Sequence, residues 1–401
     1  MSPLVRRSIA IGLLIAVGAL ANDMYVPSFA AIARSFDSDM GHVQLSMTSY
    51  FMAFAGGHLV YGSLSDAFGR KPLIYVGLGI YVIGSALAAL APSIEVLIAA
   101  RFVQGFGASA TVVIPLAMIG DQYRGPDAAR LMSLATVSLS VSPLLAPTFG
   151  GFLAQAFSWR VIFAVLVLAA VFATVLTTRG LSETLSPARR VKRGPRRIAA
   201  TYVGLLGDRR FLVPLLIATT VQCAGMVFAS GSPLVFMTLH GLSPASYGML
   251  VALHSAVIIS VSQFNAALMR RLGILRLIGY GALAFTLTTG TLAILTMSGM
   301  TALVPFVLLT LVMFACFGLF GPPAFVTAME PFADRAGAAV AIGVALQSGL
   351  ISLSTFVLAM LDDGTARPMT MLLAFLALSA LLLWLVFVRD VRSESRRPLP
   401  E

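Results

Sequence analysis

The chain is dominated by a succession of apolar runs, each about as long as a membrane-spanning helix, with short polar connections between them. About 20 apolar residues in helical form cross the hydrocarbon core of a bilayer, which is about 30 Å thick. Hydrophobic residues make up 58% of the sequence, charged residues make up 11%, and the mean hydropathy is +0.94. Because no water-soluble core absorbs so much apolar sequence, we predict an all-α membrane protein.

Windows of this length predict about twelve spans in two sets of six. The first set lies near residues 8–33, 43–64, 73–91, 95–119, 131–156 and 159–178, and the second near 211–238, 244–269, 275–297, 301–329, 338–361 and 368–388. A basic connection that contains SPARRVKRGPRR separates the two sets. We therefore predict an N-terminal six-helix bundle over residues 1–179, a basic cytoplasmic linker over 180–210, and a C-terminal six-helix bundle with a short cytoplasmic tail over 211–401.

The net charge is +11, and the basic residues concentrate in alternate connections and at both ends of the chain. In a membrane protein this pattern follows the positive-inside rule and places both termini in the cytoplasm. We expect the basic linker to face lipid head groups, so the lipid bilayer is an expected partner and nucleic acid is not. Arg6 and Arg7 before an apolar run and Ala19–Ala21 also imitate a secretory signal peptide, but its removal would leave an odd number of spans.

The connection after the second predicted span reads GSLSDAFGRKPL and begins at Gly62. Gly62 and Gly69 allow two helix ends to approach closely, and Asp66 can pair with Arg70 as those ends meet. Asp121, at the end of the fourth predicted span, is a further candidate partner for Arg70. We interpret these five residues as a latch that stabilises the outward-facing state of a moving protein. The alternative is that they are ordinary charges flanking the spans.

The fourth predicted span contains LIAARFVQGFGAS, with Arg101 inside an apolar run. An arginine at the bilayer centre costs roughly 2.5 to 3.5 kcal/mol, so Arg101 should face the protein interior and find a partner there. Its spacing from Gln104, Gly105 and Ala108 places these residues near one helical face. The alternative is an arginine that reaches a membrane interface with its long side chain.

The fifth predicted span contains SPLLAPTFGG. Pro143 and Pro147 are expected to bend the helix, and Gly150 and Gly151 to permit close contact with a neighbouring helix. We expect these residues to shape motion and not to touch a substrate.

Asp23, in the sequence ANDMYVP, is the acid that lies deep within a predicted span. Counted from Ile9 at 1.5 Å per residue, it lies roughly 21 Å along the helix and past the midplane of the bilayer. A carboxyl group there, with Arg101 nearby, can bind a proton from one side of the membrane and release it to the other. The alternative is a buried aspartate that fixes helix packing through hydrogen bonds.

These stretches resemble known motifs. GSLSDAFGRKPL is similar to the signature loop of the major facilitator superfamily, the stretch around Arg101 resembles its second motif, which is associated with proton coupling, and SPLLAPTFGG resembles the motif of its drug antiporters. ANDMYVP resembles the first span of the Bcr/CflA-type and MdfA-like drug resistance proteins. The chain departs from these relatives at Ile15, where MdfA-like proteins carry a second acid, and at Ser142, where the motif usually has glycine.

The resemblance implies a major facilitator fold, with substrate bound between two six-helix bundles near the midplane. It also implies a monomer in the inner membrane of a bacterium, with the proton as coupling ion and no metal or other cofactor. Asp23 and Arg101 are the expected proton-coupling residues. The expected substrate-binding residues are polar and aromatic side chains on central helices, namely Asn22, Met24, Tyr25, Tyr50, Gln222 and Phe236.

Two alternatives stay open for these side chains. The polar and aromatic residues could fill ordinary helix interfaces instead of lining a cavity. His58 and His254 could relay protons, or they could be histidines that only pack. Cys223 and Cys316 fall inside predicted spans, where buried thiols are expected and not a disulfide or metal site.

The function expected from these features is proton-coupled efflux of drugs or other small lipophilic compounds by alternating access. The alternatives are a dedicated exporter of one metabolite, such as a siderophore, sugar or amino acid, and a membrane receptor that transports nothing. No GxxxxGK[ST] sequence occurs, which argues against transport driven directly by ATP. We do not expect an enzyme.

Overall fold

The computed structural model describes residues 3–122, 142–185, 195–300 and 302–394. These residues are almost entirely helical. In chain order the helices are α1 Pro3–Asp23, α2 Phe29–Phe36, α3 Met40–Phe68, α4 Arg70–Ala89, α5 Ile94–Gln122, α6 142–156, α7 Trp159–Gly180, α8 Pro195–Gly207, α9 Arg209–Pro233, α10 Pro244–Ser262, α11 Asn265–Leu272, α12 Ile274–Met297, α13 Leu303–Met329, α14 Ala336–Met360 and α15 Arg367–Glu394.

Within the described ranges, ten helical stretches are long and apolar enough to cross a membrane. Two more helices complete the two sets of six. Helix α3 is 29 residues long but carries more polar side chains, and α6 is the described part of the predicted fifth span. The predicted all-α membrane architecture is therefore confirmed. The predicted start of the fifth span, near residue 131, lies outside the described residues.

The first predicted span, near residues 8–33, corresponds to one stretch that could cross a membrane, Ala10–Phe36, but this stretch is not one continuous helix. Helix α1 ends at Asp23, a short 3-10 turn spans Val26–Ser28, and α2 follows. Pro27 has no backbone N–H to donate, and its ring clashes with the carbonyl group four residues earlier, which favours a kink or break in the helix. The backbone N–H of Tyr25 donates to the Asn22 carbonyl oxygen at 3.2 Å instead of continuing the α-helical ladder. Asp23 therefore lies at the end of a helix and not in the middle of one.

Two further boundaries differ from the prediction. The predicted eighth span is divided into α10 and α11 by a turn at Gln263 and Phe264. The predicted linker contains an additional helix, α8, which packs through the buried Leu205 against Phe211 of α9 and Ile342 of α14. The sequence did not predict α8 because its apolar residues are too few for a span and were assigned to the basic connection.

The two sets of six helices meet along α3 and α14. The hydroxyl of Thr48 donates to the hydroxyl oxygen of Thr355 at 2.9 Å, and the hydroxyl of Ser352 donates to the Thr48 carbonyl oxygen at 3.0 Å. These contacts lie near the N-terminal end of α3, next to Asp39. Further along α3, Met52 is 54% exposed and Gly56 faces open space. The hydrogen bonds between α3 and α14 therefore lie towards one end of α3, called here the Asp39 end, and the opposite end of α3 is called here the Arg70 end.

Inside the first half, α3 and α5 cross at Gly105. A Cβ atom at this position would collide with the backbone of Tyr50. Gly56 lies on α3, about one and a half turns after Tyr50, and faces open space. These two glycines therefore form a matched pair for testing how closely the helices pack.

We expect Gly105→Ala to lower the stability of the protein by about 1–3 kcal/mol because the added methyl group forces α3 and α5 apart. We expect Gly56→Ala to be neutral or to stabilise by up to about 1 kcal/mol, because alanine favours a helix over glycine. Thermal unfolding of the purified protein in one detergent measures both. Equal melting temperatures for the two variants would contradict the close α3–α5 contact.

Candidate functional site

Asp23 lies at the end of α1, next to the start of α6. Its Oδ2 atom accepts a hydrogen bond from the hydroxyl of Ser142 at 2.9 Å. The side chain of Asp23 is half-buried, whereas the neighbouring Asn22 and Met24 are buried. Ser142 is the position at which the sequence departs from the usual glycine. The departure therefore supplies the hydrogen bond that holds the Asp23 carboxyl group.

Arg101 is completely buried on α5 and lies beside the end of α1. Its Nη1 atom donates to the Ala21 carbonyl oxygen at 3.0 Å and to Oε1 of Gln104 at 2.5 Å. Its guanidinium group lies over the rings of Tyr25 and Tyr50, with centroid distances of 4.5 and 4.3 Å. This burial excludes the alternative in which Arg101 reaches a membrane interface.

The partner of Arg101 is a carbonyl group and not a carboxylate. In the described part of the chain no Asp or Glu lies within ion-pair distance of Arg101, although its Ala21 contact is two residues from Asp23. The carbonyl groups in the last turn of a helix lack partners within the helix and carry partial negative charge. A cation at that end satisfies one of them and is itself stabilised.

Two tyrosines support the same end of α1. The hydroxyl of Tyr50, on α3, donates to the Gly18 carbonyl oxygen at 2.9 Å, and the hydroxyl of Tyr81, on α4, donates to the Val17 carbonyl oxygen at 3.1 Å. Side chains from α3, α4 and α5 therefore all bind the backbone of α1 within two turns of Asp23. Sequence reasoning missed this support because tyrosines in apolar spans resemble ordinary packing residues.

The structure does not bring the six expected substrate-binding residues together. The hydroxyl groups of Tyr25 and Ser46 are hydrogen-bonded at 2.6 Å, and the Tyr25 ring contacts two phenylalanine rings. Tyr50 donates to the Gly18 carbonyl oxygen. Phe236 is buried among other aromatic rings. Met24 is buried against α6, where Gly150 contacts its backbone. In this conformation these four side chains fill helix interfaces, which is the alternative that the sequence left open.

Asn22 and Gln222 are placed differently. The Nδ2 atom of Asn22 lies 3.9 Å from the sulfur of Met226, on α9 of the other half, and its buried Oδ1 atom has no hydrogen-bond partner in the described part of the chain. Gln222, one turn before Met226, is exposed. These two expected residues therefore lie where α1 faces α9 across the seam between the halves.

The five residues of the expected latch lie at the Arg70 end. Nη1 of Arg70 lies 2.7 Å from Oδ1 of Asp66, and its Nε atom lies 2.9 Å from Oδ2 of Asp121. Gly69 connects α3 to α4 with a φ of 103°, a conformation that favours glycine, and Gly62 faces open space. The structure therefore brings the three charged residues together, and all of them belong to the first half.

Glu183, after the end of α7, belongs to the same cluster. Its two carboxylate oxygens accept the backbone N–H groups of Arg70 and Lys71 at 3.0 and 3.1 Å, at the start of α4. Nζ of Lys71 in turn donates to the Leu181 carbonyl oxygen at 2.9 Å. A carboxylate at a helix N-terminus is stabilised by the unpaired N–H groups there. Partial burial raises the pKa of Glu183, but backbone N–H donors outweigh it and hold the pKa below its usual range.

The SPLLAPTFGG stretch forms a second seam between the halves. The Pro143 carbonyl oxygen accepts the hydroxyl of Ser255 on α10 at 2.9 Å. The Pro147 carbonyl group lies against Gly248 of α10, and Gly151 lies against the Pro244 backbone. The residues expected to bend the helix therefore also make the contact between α6 and α10.

The two histidines on central helices are buried. Nδ1 of His58 donates to the Phe54 carbonyl oxygen at 2.9 Å, and its Nε2 atom has no hydrogen-bond partner among the residues that the structure describes. His254 uses both ring nitrogens, with the Leu250 carbonyl oxygen at 2.7 Å and the hydroxyl of Thr310 at 2.9 Å. None of these contacts joins either histidine to Asp23 or Arg101.

We expect Glu183→Gln to lower the stability of the protein by about 1 kcal/mol at neutral pH, since an amide is a weaker acceptor for the α4 N-terminus. The lowered pKa of Glu183 means that its contribution is present above the pKa of the unfolded chain and is lost as the pH falls through the folded value. The difference from wild type should therefore shrink on acidification. Melting temperatures across pH measure it, with Glu330→Gln, at an exposed position, as the control. A difference that is constant with pH would contradict the charged cap.

The sequence matches the family model described as Major Facilitator Superfamily over residues 11–355. It is 30% identical over 366 residues to an uncharacterised MFS-type transporter, YdgK, of Bacillus subtilis (strain 168). This alignment covers 90% of this chain and 89% of that protein. It is 29% identical over 378 residues to Multidrug resistance protein D of Escherichia coli (strain K12), 93% of each chain. It is 30% identical over 270 residues to a bicyclomycin resistance protein homologue of Haemophilus influenzae, 66% of this chain and 67% of that one.

Solved structures share the fold at low sequence identity. A crystal structure of a D-xylose-proton symporter has a TM-score of 0.73 and 16% identity, over 94% of this chain and 97% of that one. The xylose transporter XylE from E. coli, in a partially occluded inward open conformation, has a TM-score of 0.73 and 15% identity, over 96% of this chain and 98% of that one. Identity this low carries the fold and nothing finer. With the family model matched over most of its length, the chain belongs to the major facilitator superfamily, whose members are membrane transporters and not enzymes.

Proposed function

We propose that this transporter exports drugs or other small lipophilic compounds across the inner membrane of a bacterium in exchange for protons. The observation that carries the proposal is the half-buried Asp23 carboxyl group, which lies at the break of α1 and accepts a hydrogen bond from Ser142. Relatives named for multidrug and bicyclomycin resistance support the substrate class. The proposal needs no cofactor besides the proton, and one chain suffices as the transporting unit.

Asp23 adjoins the space between the halves. On α1, the half-buried residues Ala16, Leu20 and Asp23 recur every three to four residues and so form one face. On α9, Gln222 and Met226 form the opposing face, and Met226 contacts Asn22. A lipophilic compound between these faces meets apolar side chains, the flexible methionine and one carboxyl group.

Proton exchange then follows from competition at one carboxyl group. The ionised Asp23 accepts a hydrogen bond from Ser142 and attracts a cationic or polar substrate, whereas the protonated form has lost that charge. Substrate and proton therefore exclude each other. Arg101 keeps its charge at the end of α1 throughout, so it positions Asp23 without neutralising it.

The positive-inside pattern places the Arg70 end in the cytoplasm and both termini on the same side. In that orientation the α3–α14 contacts lie on the periplasmic side. The Asp66–Arg70–Asp121 cluster is formed in this conformation. We propose that the cluster keeps the first half rigid while the halves move and that it stabilises the outward-facing state.

The test uses everted membrane vesicles that carry a proton gradient. Addition of ethidium, chloramphenicol and other dissimilar compounds should dissipate the gradient in wild type, because each exported molecule lets a proton return. Asp23→Asn should abolish this response, since an amide side chain does not take up and release a proton as a carboxyl group does. The substitution should not lower the melting temperature. Asp37→Asn, at an exposed position beyond α2, is the matched control and should behave as wild type.

Retained dissipation in the Asp23→Asn variant would remove Asp23 from the mechanism. A response to one class of compound alone would indicate a dedicated metabolite exporter. No response to any compound in wild type would exclude proton-coupled drug efflux.

A further inference from the structure

Two consecutive residues at the start of the described part of α6 bind partners in different halves. The hydroxyl of Ser142 donates to Oδ2 of Asp23 at 2.9 Å, inside the first half. The carbonyl oxygen of Pro143 accepts the hydroxyl of Ser255, on α10 of the second half, at 2.9 Å. A single peptide step therefore separates the Asp23 carboxyl group from a hydrogen bond that joins the halves.

The Pro143 carbonyl group is available for this bond because of Pro147. In an α-helix a carbonyl group accepts the backbone N–H group four residues later, and proline has no N–H group. A carbonyl group that is shielded from water without a partner is costly. Ser255 supplies the missing donor, so Pro147 creates an acceptor that faces the second half.

Ser255 has a second acceptor on its own helix. Its hydroxyl also lies 3.1 Å from the carbonyl oxygen of Val251, one turn earlier on α10. A hydroxyl group has one proton to donate, so the two carbonyl oxygens share it. If the halves separate here, Ser255 keeps Val251 as its partner, whereas the Pro143 carbonyl group loses its donor. The loss therefore falls on α6.

The contact between α6 and α10, called here the α6–α10 seam, is narrow. A Cβ atom on Gly248 of α10 would collide with the Pro147 carbonyl oxygen, and one on Gly151 of α6 would collide with the Pro244 carbonyl oxygen. Backbone meets backbone at these points, and a hydrogen bond holds over only a few tenths of an ångström. A small shift of α6 along α10 is therefore enough to break the Ser255 bond.

The charge of Asp23 determines how firmly the start of α6 is held. A hydrogen bond to an ionised carboxylate is roughly twice as strong as one between neutral groups, so protonation of Asp23 weakens its hold on Ser142. Pro143 follows directly, and its ring fixes its own φ angle. A shift of Ser142 therefore moves the Pro143 carbonyl group with it.

We propose that Ser142 and Ser255 are positioning residues that couple the charge of Asp23 to the α6–α10 seam. The ionised carboxyl group stabilises the closed seam, and its protonation loosens the seam. Such coupling is reciprocal, so separation at the seam favours the protonated form of Asp23. The proposal rests on the proposed function in one respect, since it takes Asp23 as the group that binds the proton.

Other titratable or charged side chains face the end of α1, and each donates to a carbonyl group of that helix: Tyr50 on α3, Tyr81 on α4 and Arg101 on α5. On α10, His254 lies next to Ser255, but its ring contacts the Leu250 carbonyl oxygen and the Thr310 hydroxyl within the second half. Asp23→Asn leaves all of these groups in place. A pH response that disappears in this variant therefore belongs to Asp23.

Thr148 provides a matched control on α6. Its hydroxyl donates to the Gly248 carbonyl oxygen of α10 at 3.2 Å, across the same seam. Gly248 lies inside α10, and the residue four positions later is Ala252, so its carbonyl group keeps a helical partner. Thr148→Val therefore removes a hydrogen bond between the halves without touching the step from Ser142 to Pro143.

The experiment measures the distance between spin labels in the two halves by pulsed electron paramagnetic resonance. Ala156→Cys at the end of α6 and Met300→Cys after α12 are exposed reporter sites, and the buried Cys223 and Cys316 are replaced by alanine. The purified protein is held in lipid nanodiscs without drug or proton gradient. The distances are therefore independent of export, and a failed vesicle assay would leave this measurement able to support or contradict the coupling.

In the reporter protein we expect the ratio of the long-distance to the short-distance population to be about tenfold higher at about pH 4.5 than at about pH 9, which is typical of coupling between two sites. Asp23→Asn should remove this pH response. Ser142→Ala and Ser255→Ala should each reduce it to less than about twofold, because either change breaks the link. Thr148→Val should raise the long-distance population at every pH and keep the tenfold response.

A pH response that survives in Asp23→Asn would overturn the proposal, because the titrating group would then lie elsewhere. So would a Ser255→Ala protein that responds to pH as strongly as Thr148→Val does, since Ser255 would then only pack. If Ser255→Ala fails to fold, Ser142→Ala decides the question from the other side of the link. A full tenfold response in that variant would overturn the proposal.

Discussion

The contact on which the rest of the site depends is that between Arg101 and the end of α1. Burial of a guanidinium group is costly unless its charge is compensated. Here Nη1 donates to the Ala21 carbonyl oxygen and to Gln104, and the guanidinium group lies over two tyrosine rings, whereas Nε and Nη2 have no hydrogen-bond partner among the described residues. Because α1 stops at Asp23, its last carbonyl groups need donors, and Arg101 supplies one. The break in the helix and the buried cation therefore stabilise each other, and Asp23 is held beside them.

The interactions differ in kind within a half and between halves. Within the first half, charged groups join helix ends, as in the Arg70 cluster and the Glu183 cap of α4. Between the halves, the seams consist of hydroxyl, carbonyl and glycine contacts, such as Thr48 with Thr355. Neutral hydrogen bonds contribute about 0.5–1.5 kcal/mol each and those to charged groups about 1.5–3. The contacts described within the first half are therefore stronger individually than those described between the halves.

The sequence predicted the architecture and several contacts, but not the elements that depend on irregular backbone. Spans are predictable because a bilayer imposes length and hydropathy, and Asp66 and Arg70 are close because they lie four residues apart across one turn. The role of Ser142 could not be predicted from a single departure from a motif. The position of Glu183 at the start of α4 could not be predicted either, because its partners are backbone N–H groups more than a hundred residues earlier in the chain. Every residue except proline has such a group, so the sequence does not show which of them a distant side chain will bind.

By itself the sequence determined that the chain crosses a membrane many times, divides into two halves and carries one acid deep in the first. These follow from hydropathy, charge placement and residue identity, which need no coordinates. The tertiary structure decided that Asp23 ends a helix and that Arg101 donates to a carbonyl oxygen and not to a carboxylate. It also decided that Tyr25, Tyr50 and Phe236 fill helix interfaces. The physical reason is that each of these depends on which backbone groups lack a partner after folding, and only the packed helices fix that.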